Sequence, residues 1–484
     1  MTIETELKLE VEPDAAAFLE ASELLSAAPE IVKQRALYFD TADKALLSAG
    51  ISLRIRRTGR KRVQTLKIAA GPVAGLFART EFERPVSDDD PVIESASPLA
   101  EILGKKAKAL APAFEILIER RSWMLKEGNA DIECVIDRGK AKIANREASI
   151  CEMELELKSG DQRELFSLAR KFDQIAPVRL GMLSKAERGY GLLGPAISAH
   201  KAEPVMLGTD VMAQDAFQQI ALACVRHYRL NEAMLFEDWH PSALHQARVA
   251  LRRLRSAFTI FNPILPHARA DQFKSALRDL SAVLGEARNL DVLRDRIAVT
   301  PEPKIEDARN LAYAEVKTRL ASAETRALML DLTEWLAVGD WLTEASTHAE
   351  RHLPSRVFAA HALRRLCKRI RKHGRRLREG SDDDRHTVRK DAKKLRYASE
   401  FFECFYDTGR QKRRHGKFTK ALEKLQGHLG AFNDRVTALE LIEAMGLEGQ
   451  PAAGALLSGK TRGTLIKRAD SAWDELIDLK PFWR

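Results

Sequence analysis

Over the first 160 or so residues, apolar and polar positions alternate with a period of two in short stretches, the pattern of half-buried strands. The stretches are Ile3–Val11, Ile51–Arg57, Val63–Ala69, Arg79–Val86, Glu115–Leu125, Ala130–Ile136 and Ile150–Lys158. Ala15–Leu25 and Gln162–Gln174 instead carry helical spacing. From about Asp210 the short period disappears, and long amphipathic helical patterns with few Gly or Pro replace it. Gly194–Gly208 (GPAISAHKAEPVMLG) holds two prolines and breaks the periodicity, as a linker does. The pattern predicts an α+β N-terminal domain over 1–194, a linker over 195–208 and an all-α domain over 209–484.

The polar faces of the predicted strands are unusual. The first strand sets Glu4, Glu6, Lys8 and Glu10 opposite Ile3, Thr5, Leu7 and Leu9. Arg54 and Arg56 share a face opposite Leu53 and Ile55, and Lys67 opposes Leu66 and Ile68. Arg79, Glu81 and Glu83 share a face, as do Glu152, Glu154 and Glu156. One such strand is an ordinary solvated sheet face. As a set they differ, because several strands offer only acids or only bases. Three glutamates at spacing two repel one another unless a cation lies among them. A sheet like this folds if it curls, turning apolar faces outward under helices and charged faces into a wet lumen.

The second half repeats itself. His245, Arg248, Arg252, Arg253 and Arg255 reappear at the same spacing as His386, Arg389, Lys393, Lys394 and Arg396. Leu284-Gly285 with Asn289 and Asp291, and Leu429-Gly430 with Asn433 and Asp434, follow the two copies. At 100° per residue each copy forms a basic stripe opposite an apolar one, Ala247, Leu251, Leu254 and Phe258 in the first. One stripe is an ordinary solvated face; two matching stripes point to two surfaces converging on one anion.

Composition changes this picture in one respect. The net charge is +10, but residues 1–200 carry a net of −1 and the remainder +11. The excess belongs to the helical half and attracts polyanions. No apolar run approaches the about 18–20 residues of a membrane span. The opening MTIETELKLEV lacks the basic and apolar regions of a secretory signal. Cys134, Cys151, Cys224, Cys367 and Cys404 include no CxxC pair. These features fit a reducing, cytoplasmic setting.

Glu4-Thr-Glu6-Leu-Lys8 resembles the ExExK signature of the CYTH family, the triphosphate tunnel metalloenzymes. In order there follow Tyr38-Phe39-Asp40-Thr41, Leu53-Arg54-Ile55-Arg56, Leu66-Lys67, Arg79-Thr-Glu81, Arg120 before Trp123, Asp137-Arg-Gly139, Glu152-Met-Glu154-Leu-Glu156 and Ser184-Lys185. The resemblance spans nearly all of 1–192. It implies an eight-stranded antiparallel tunnel, open at both ends, that hydrolyses triphosphate with Mg²⁺ or Mn²⁺. Glu4, Glu6 and Lys8 would form the catalytic set. Glu4, Glu6, Glu152 and Glu154 would bind the metal. Lys8, Arg54, Arg56, Lys67, Arg79, Arg120 and Lys185 would cradle the phosphates. Glu81 and Glu133 are further acidic candidates. Glu156 shares parity with its neighbours, which leaves open whether it lies inside the tunnel or past its rim. Gly139 suggests a turn, which leaves Asp137 between a tunnel role and a structural one. Gly71–Gly75 reads as a strand connection, since no GKS-like sequence follows. Arg57, Arg60, Lys61 and Arg62 read as a solvated hairpin turn, and Asp88–Asp90 as a turn and cap.

The repeated helices resemble the CHAD domain across about 210–480. That resemblance implies a bundle of two pseudo-repeats binding inorganic polyphosphate through His245, Arg248, Arg252, Arg255, His386, Arg389, Lys393 and Arg396. Arg364, Arg365, Lys368, Arg369, Lys372 and Arg376 either widen this patch or are solvated. Nucleic acid is the rival polyanion. Against it, the stripes lack interleaved aromatics, side chains suited to base edges are sparse, and no helix-turn-helix or zinc pattern accompanies them. The combined expectation is an inorganic triphosphatase with a polyphosphate-binding domain. The alternatives are a binding scaffold without turnover, or a tunnel acting on thiamine triphosphate or a nucleoside triphosphate.

Overall fold

The computed structural model describes residues 2–68, 74–94, 97–296, 302–448 and 461–483. The chain forms two compact units: Met1–Ile197 together with Ala323–Val338, and Ser198–Ser322 together with Gly339–Arg484.

The first unit is built on nine strands, β1 (Thr2–Val11), β2 (Glu30–Asp40), β3 (Ile51–Thr58), β4 (Lys61–Ile68), β5 (Leu76–Pro85), β6 (Ala111–Glu127), β7 (Ala130–Ile143), β8 (Arg146–Ser159) and β9 (Val178–Leu180). Their order is β5-β4-β3-β2-β6-β7-β8-β1-β9, and β5 also pairs with β1. That extra pairing closes eight antiparallel strands into a ring, with β9 attached to β1 outside it. The helices are α1 (Pro13–Glu20), α2 (Ala45–Ser48), α3 (Pro98–Leu103), α4 (Arg163–Ile175) and α5 (Lys185–Gly191).

The apolar strand faces point outward under helices, as the alternation requires. Leu53, Ile55 and Leu66 pack with Leu46 of α2 and with Leu99 and Leu103 of α3. Leu7, Leu9, Met153 and Leu155 are fully buried, and α4, which buries Leu165, Phe166 and Phe172, packs on β1 and β8. Each outward side chain of this kind adds about 1.5–3 kcal/mol of hydrophobic stabilisation. The helix Ala323–Val338 belongs to this unit despite its late position in the chain. Its Asp331 accepts from Arg170 of α4 at 2.7 Å, and its Arg326 pairs with Asp173 at 2.5 Å.

The structure corrects three sequence expectations here. Gly139 lies inside β7 rather than at a turn. A Cβ there would stand 1.9 Å from the Leu117 carbonyl oxygen, so the residue is small because β6 passes close by. The alternation also missed β2. Its inward positions mix Gln34, Ala36 and Tyr38, while Ala36–Phe39 is continuously apolar. Finally, α5 seats against β6, β7 and β8 at one mouth of the ring. Its Ala186 and Tyr190 join Ala36, Tyr38, Phe114, Ile116, Ile118, Ala141 and Ile150 in a core. Cross-strand partnership puts these strand residues on the same face as Arg54, Arg56 and Arg120, so that end of the lumen is packed. The expectation of a tunnel open at both ends fails for this physical reason: an apolar patch on an inner face needs a cover. The Gly71–Gly75 connection lies mostly outside the described residues.

The second unit is helical: α6 (Ala213–Glu237), α7 (Pro241–Ile260), α8 (His267–Arg296), α9 (Pro303–Ala321), then α10 (Ala323–Val338, counted in the first unit), α11 (His348–Arg351), α12 (Ser355–Gly374), α13 (Asp382–Phe401), α14 (Gly409–Ala444) and α15 (Arg462–Asp478). No strand follows β9 among the described residues, apart from a single bridge between Met212 and Pro354. The duplicated sequence is a duplicated helix pair, α7–α8 and α13–α14, whose first members pack on each other. Ala247, Leu251, Leu254 and Phe258, and Val388, Ala392 and Leu395, are buried as their spacing predicts.

Candidate functional site

Cross-strand registers assemble the charged lumen. Lys8 lies opposite Glu154 and Glu6 opposite Glu156. Asp137 lies opposite both Glu152 and Arg120. Lys67 lies opposite Glu81, Thr65 opposite both Glu83 and Arg54, and Glu4 opposite Arg79. The acids proposed from sequence divide into two groups.

The first group is Asp137, Glu152 and Glu154, all buried, with one oxygen of each within 4.8 Å of the others. Cations interleave them. Lys185 Nζ lies 2.7 Å from Asp137 Oδ2, 2.6 Å from Glu152 Oε1 and 2.9 Å from Glu154 Oε1. Lys8 Nζ lies 2.8 Å from Glu152 Oε1 and also contacts Glu154. Arg120 grips Asp137 with two bonds of 2.7 and 2.9 Å and reaches Glu154 at 3.0 Å. Burial pushes each group toward its neutral form, but the opposing charges win. Glu154 is held well below the usual carboxylate range and Lys185 well above the usual lysine range. Three acids meet three bases, the condition under which buried charges are tolerable. Asp137 thus belongs to the lumen as an anchor for Arg120 and Lys185.

The second group is Glu4, Glu81 and Glu156. Glu4 lies beside both others and bears on each of them. Burial and the neighbouring Glu4 raise Glu81 to about 7. Burial and the charge of Glu4 raise Glu156 to about 6, against the pull of Lys158. For Glu4 burial acts upward, but contact with Glu81, Lys67 and Glu156 brings it to about 2. Lys67 sits 3.4 Å from Glu4 and contacts Glu81; Lys158 lies 2.6 Å from Glu156 and 2.7 Å from Glu133. Glu6, buried on β1 between Glu4 and Lys8, is opposite Glu156. Crowded carboxylates of this kind are donors of the type a divalent cation takes. In the first group Asp137, Glu152 and Glu154 are also close enough to hold a cation, with Lys8 and Lys185 set against the same oxygens.

Facing these acids is a row of bases. Arg54 is half-buried beside Tyr38 and feels Glu81 and Arg120. Arg56 lies 3.4 Å from Glu83, and burial and the charge of Arg54 depress it. Tyr38 stacks on Phe114 at 4.8 Å, and Phe114 meets Tyr190 edge-on at 5.0 Å. The Tyr190 hydroxyl donates to Asp40, which also accepts from the α2 amides of Leu46 and Leu47. The Tyr38–Thr41 motif is therefore scaffolding beneath Arg54. Sequence reasoning missed Arg188, one turn beyond Lys185 on α5, which donates to Glu10 at 3.0 Å. Its spacing from Lys185 was the available signal. Of Arg79, the backbone register alone is described. Arg57, Lys61 and Arg62 flank the β3–β4 hairpin turn, and Arg62 pairs with Asp89 of the Asp88–Asp90 bend at 2.8 Å.

In the second unit the stripes converge in part. His245, Arg248 and Arg252 of α7 lie close to Arg389 and Lys393 of α13. Burial and these neighbours push Lys393 down to about 6, Arg248 to about 10 and His245 to about 4. Arg288 of α8, missed in the sequence although it precedes Asn289 of the repeated segment, faces His245 and Arg248. Asp434 is the acid that bears on Arg248, Arg389 and Lys393. Arg252 donates to the Tyr397 hydroxyl at 2.7 Å, tying the two repeats together. A Cβ at Gly285 would stand 3.5 Å from an Arg248 nitrogen, an ordinary contact that places this turn of α8 beside the guanidinium. Of the remaining stripe members, His386 lies beside Arg389 and Lys393, while Arg396 and Arg255 have other partners. His386 bonds Asn433 at 3.3 Å, Arg396 pairs with Glu400 at 3.3 Å, and Arg255 faces Arg278 and Asp279 of α8. Arg253 is consumed by Glu400 and by the rings of Tyr397 and Phe401.

A closed antiparallel ring lined by paired acids and bases is followed in the chain by a helical repeat with a basic cluster. Residues 2–190 match the CYTH domain and residues 219–443 the CHAD domain, so the chain carries a CYTH domain followed by a CHAD domain. An inorganic triphosphatase of Haemophilus influenzae is 31% identical over 158 residues, which cover 32% of this chain and 45% of that protein. The chain thus spans less than half of that relative's length. An uncharacterized protein of Mycobacterium tuberculosis is 26% identical over 396 residues, 75% of each chain. The CHAD domain from the plant Ricinus communis covers 58% of this chain and 97% of its own at 26% identity, with a TM-score of 0.48. Among the described residues no helix is long and apolar enough to cross a membrane.

Proposed function

We propose that the first unit hydrolyses inorganic triphosphate to diphosphate and phosphate with Mg²⁺ or Mn²⁺, and that the second binds inorganic polyphosphate. The observation that supports the first reading is the set of acids Glu4, Glu81 and Glu156 gathered beside Lys67 and Arg54 within one ring. Glu4, Glu81 and Glu156, with Glu6 next to them, hold the cation in this reading; Glu152 and Glu154 act as anchors for Lys8 and Lys185. A divalent cation bound there polarises phosphoryl oxygens and makes a bound water more acidic. Arg54, Arg56 and Lys67 orient the chain and stabilise charge gathering on the transferred group and the leaving diphosphate. Arg120, clamped by Asp137 and Glu154, keeps its guanidinium fixed, so little reorganisation is needed at the moment of reaction. Packing by α5 at one mouth keeps bulk water from that end and strengthens these interactions.

The test is phosphate release from inorganic triphosphate with either metal, comparing the intact chain with Glu4→Gln/Glu6→Gln. Loss of about a thousandfold or more in a folded double variant supports the reading. Faster turnover of thiamine triphosphate or ATP would reassign the substrate, with cyclic AMP marking a cyclase. No turnover of any triphosphate, with polyphosphate binding retained, would sink the enzyme reading in favour of a scaffold.

A further inference from the structure

Strand β1 changes partner along one edge, and Lys8 stands at the change. From Thr2 to Leu7 that edge pairs with β5, and from Leu9 to Val11 with β9. The Lys8 amide donates to the Gly75 carbonyl, just ahead of β5, at 2.7 Å. The Lys8 carbonyl accepts from the Gly181 amide, just past β9, at 2.8 Å. Close approach demands both glycines. A Cβ at Gly181 would stand 2.7 Å from Lys8 Cγ, and one at Gly75 2.7 Å from Leu180 Cδ2. The segment Val178–Gly181 therefore holds the stem as well as the backbone of Lys8, whose ammonium lies 2.8 Å from Glu152 in the lumen.

A strand of three residues gains little from its own ladder, so β9 depends on what fixes its ends. Its first residue is fixed by Asp173, near the end of α4: the Val178 amide donates to Asp173 Oδ1 at 3.0 Å. The same oxygen pairs with Arg326 of α10 at 2.5 Å. Both side chains are largely buried, which shields the pair from solvent screening. An unbroken series of contacts thus runs from Arg326 to Asp173, from Asp173 to Val178, and from β9 to Lys8. Residues 323–338 lie between stretches of the second unit in the chain, yet they belong to the first unit.

We infer that Asp173 and Arg326 are positioning residues for Lys8, so that the catalytic unit is the ring together with α10. The inference rests on the triphosphatase reading of the ring. Arg326 fixes the Asp173 carboxylate, the carboxylate fixes the start of β9, and β9 sets the depth at which Lys8 enters the lumen. A cation that must meet charge developing on a phosphoryl oxygen loses much of its effect when displaced by about 1 Å.

The experiment uses the full chain and two readouts. One is steady-state phosphate release from inorganic triphosphate with Mg²⁺ or Mn²⁺; the other is hydrogen exchange over residues 176–182 by mass spectrometry. Arg326→Gln, Asp173→Ala and Arg326→Lys are compared with Arg163→Gln, each checked by circular dichroism and melting. Arg163 donates at 2.9 Å to the Val338 carbonyl at the other end of α10, about 15 Å along α4 from Asp173. Arg326→Gln and Asp173→Ala should speed exchange and lower kcat about tenfold, with KM within about twofold. Arg326→Lys should keep most of kcat, and Arg163→Gln should lower the melting temperature alone. In a Lys8→Gln background Arg326→Gln should remove nothing further, because the residue it positions is gone. Unchanged exchange, or faster exchange with unchanged kcat, in Arg326→Gln and Asp173→Ala would overturn the positioning role and leave the triphosphatase reading standing. An equal loss of kcat in Arg163→Gln, or an additive loss in the Lys8→Gln background, would also overturn it, making α10 a general support. No turnover by the unaltered chain would remove the triphosphatase reading itself.

Discussion

The two units treat charge in opposite ways. In the ring, Asp137, Glu152 and Glu154 are matched by Lys8, Lys185 and Arg120 at 2.6–3.0 Å wherever a distance of ordinary hydrogen-bond length separates them. On the helices, His245, Arg248, Arg252, Arg288, Arg389 and Lys393 gather with Asp434 as the acid that bears on them. A closed lumen excludes solvent counter-ions, so each buried charge needs a fixed partner before any ligand arrives. A helical surface borders water, which tolerates an excess of one sign until a polyanion replaces the solvent. The ring therefore holds its charges in fixed pairs, and the helices hold an excess of one sign.

Removing an arginine is the sharpest way to break this contrast. Arg54→Gln in the ring should lower kcat/KM for triphosphate by about 10–100-fold, the worth of one charge-assisted contact, with the fold retained. An unchanged kcat/KM would take Arg54 out of the site. A smaller effect is expected for Arg389→Gln on the helices. Polyphosphate affinity should fall several-fold, about 1 kcal/mol, and the slope of log affinity against log salt should decrease by nearly one. A slope that does not move would mean Arg389 touches no phosphate.

The smallest expected effect concerns pH. The folded chain depresses Lys393 to about 6 through burial and the charges of Arg252, Arg389 and Arg248. At neutral pH the unfolded chain thus binds a proton that the folded chain has released. Stability from this group is then present at alkaline pH and lost as pH falls through about 6. Lys393→Met should raise the melting temperature by a few degrees at pH 6, where its effect should exceed that at pH 9. Polyphosphate binding near pH 7 should take up protons, measured as a buffer-dependent binding enthalpy. Binding enthalpies that do not depend on the buffer would remove Lys393 from the contact.

Much of this protein is legible in its residues. Period-two alternation located β1, β3 to β8 and their charged faces, because a strand with one face under helices must alternate. Repetition of the His245 and His386 segments located the paired helices, because the same apolar stripe must be buried twice. Strand β2 was hidden because its inward face is not charged, and Gly139 was misread because a close crossing and a turn both demand glycine. Which acids meet was not legible at all. Glu152, Glu154 and Glu156 share one strand face, yet two are neutralised by Lys8 and Lys185 while the third pairs with Lys158 and lies beside Glu4. Spacing along a chain says which face a side chain takes, and that follows from local backbone geometry. Which neighbour it meets depends on strand register, ring closure and the seating of α5, and these are set by contacts between residues far apart in sequence.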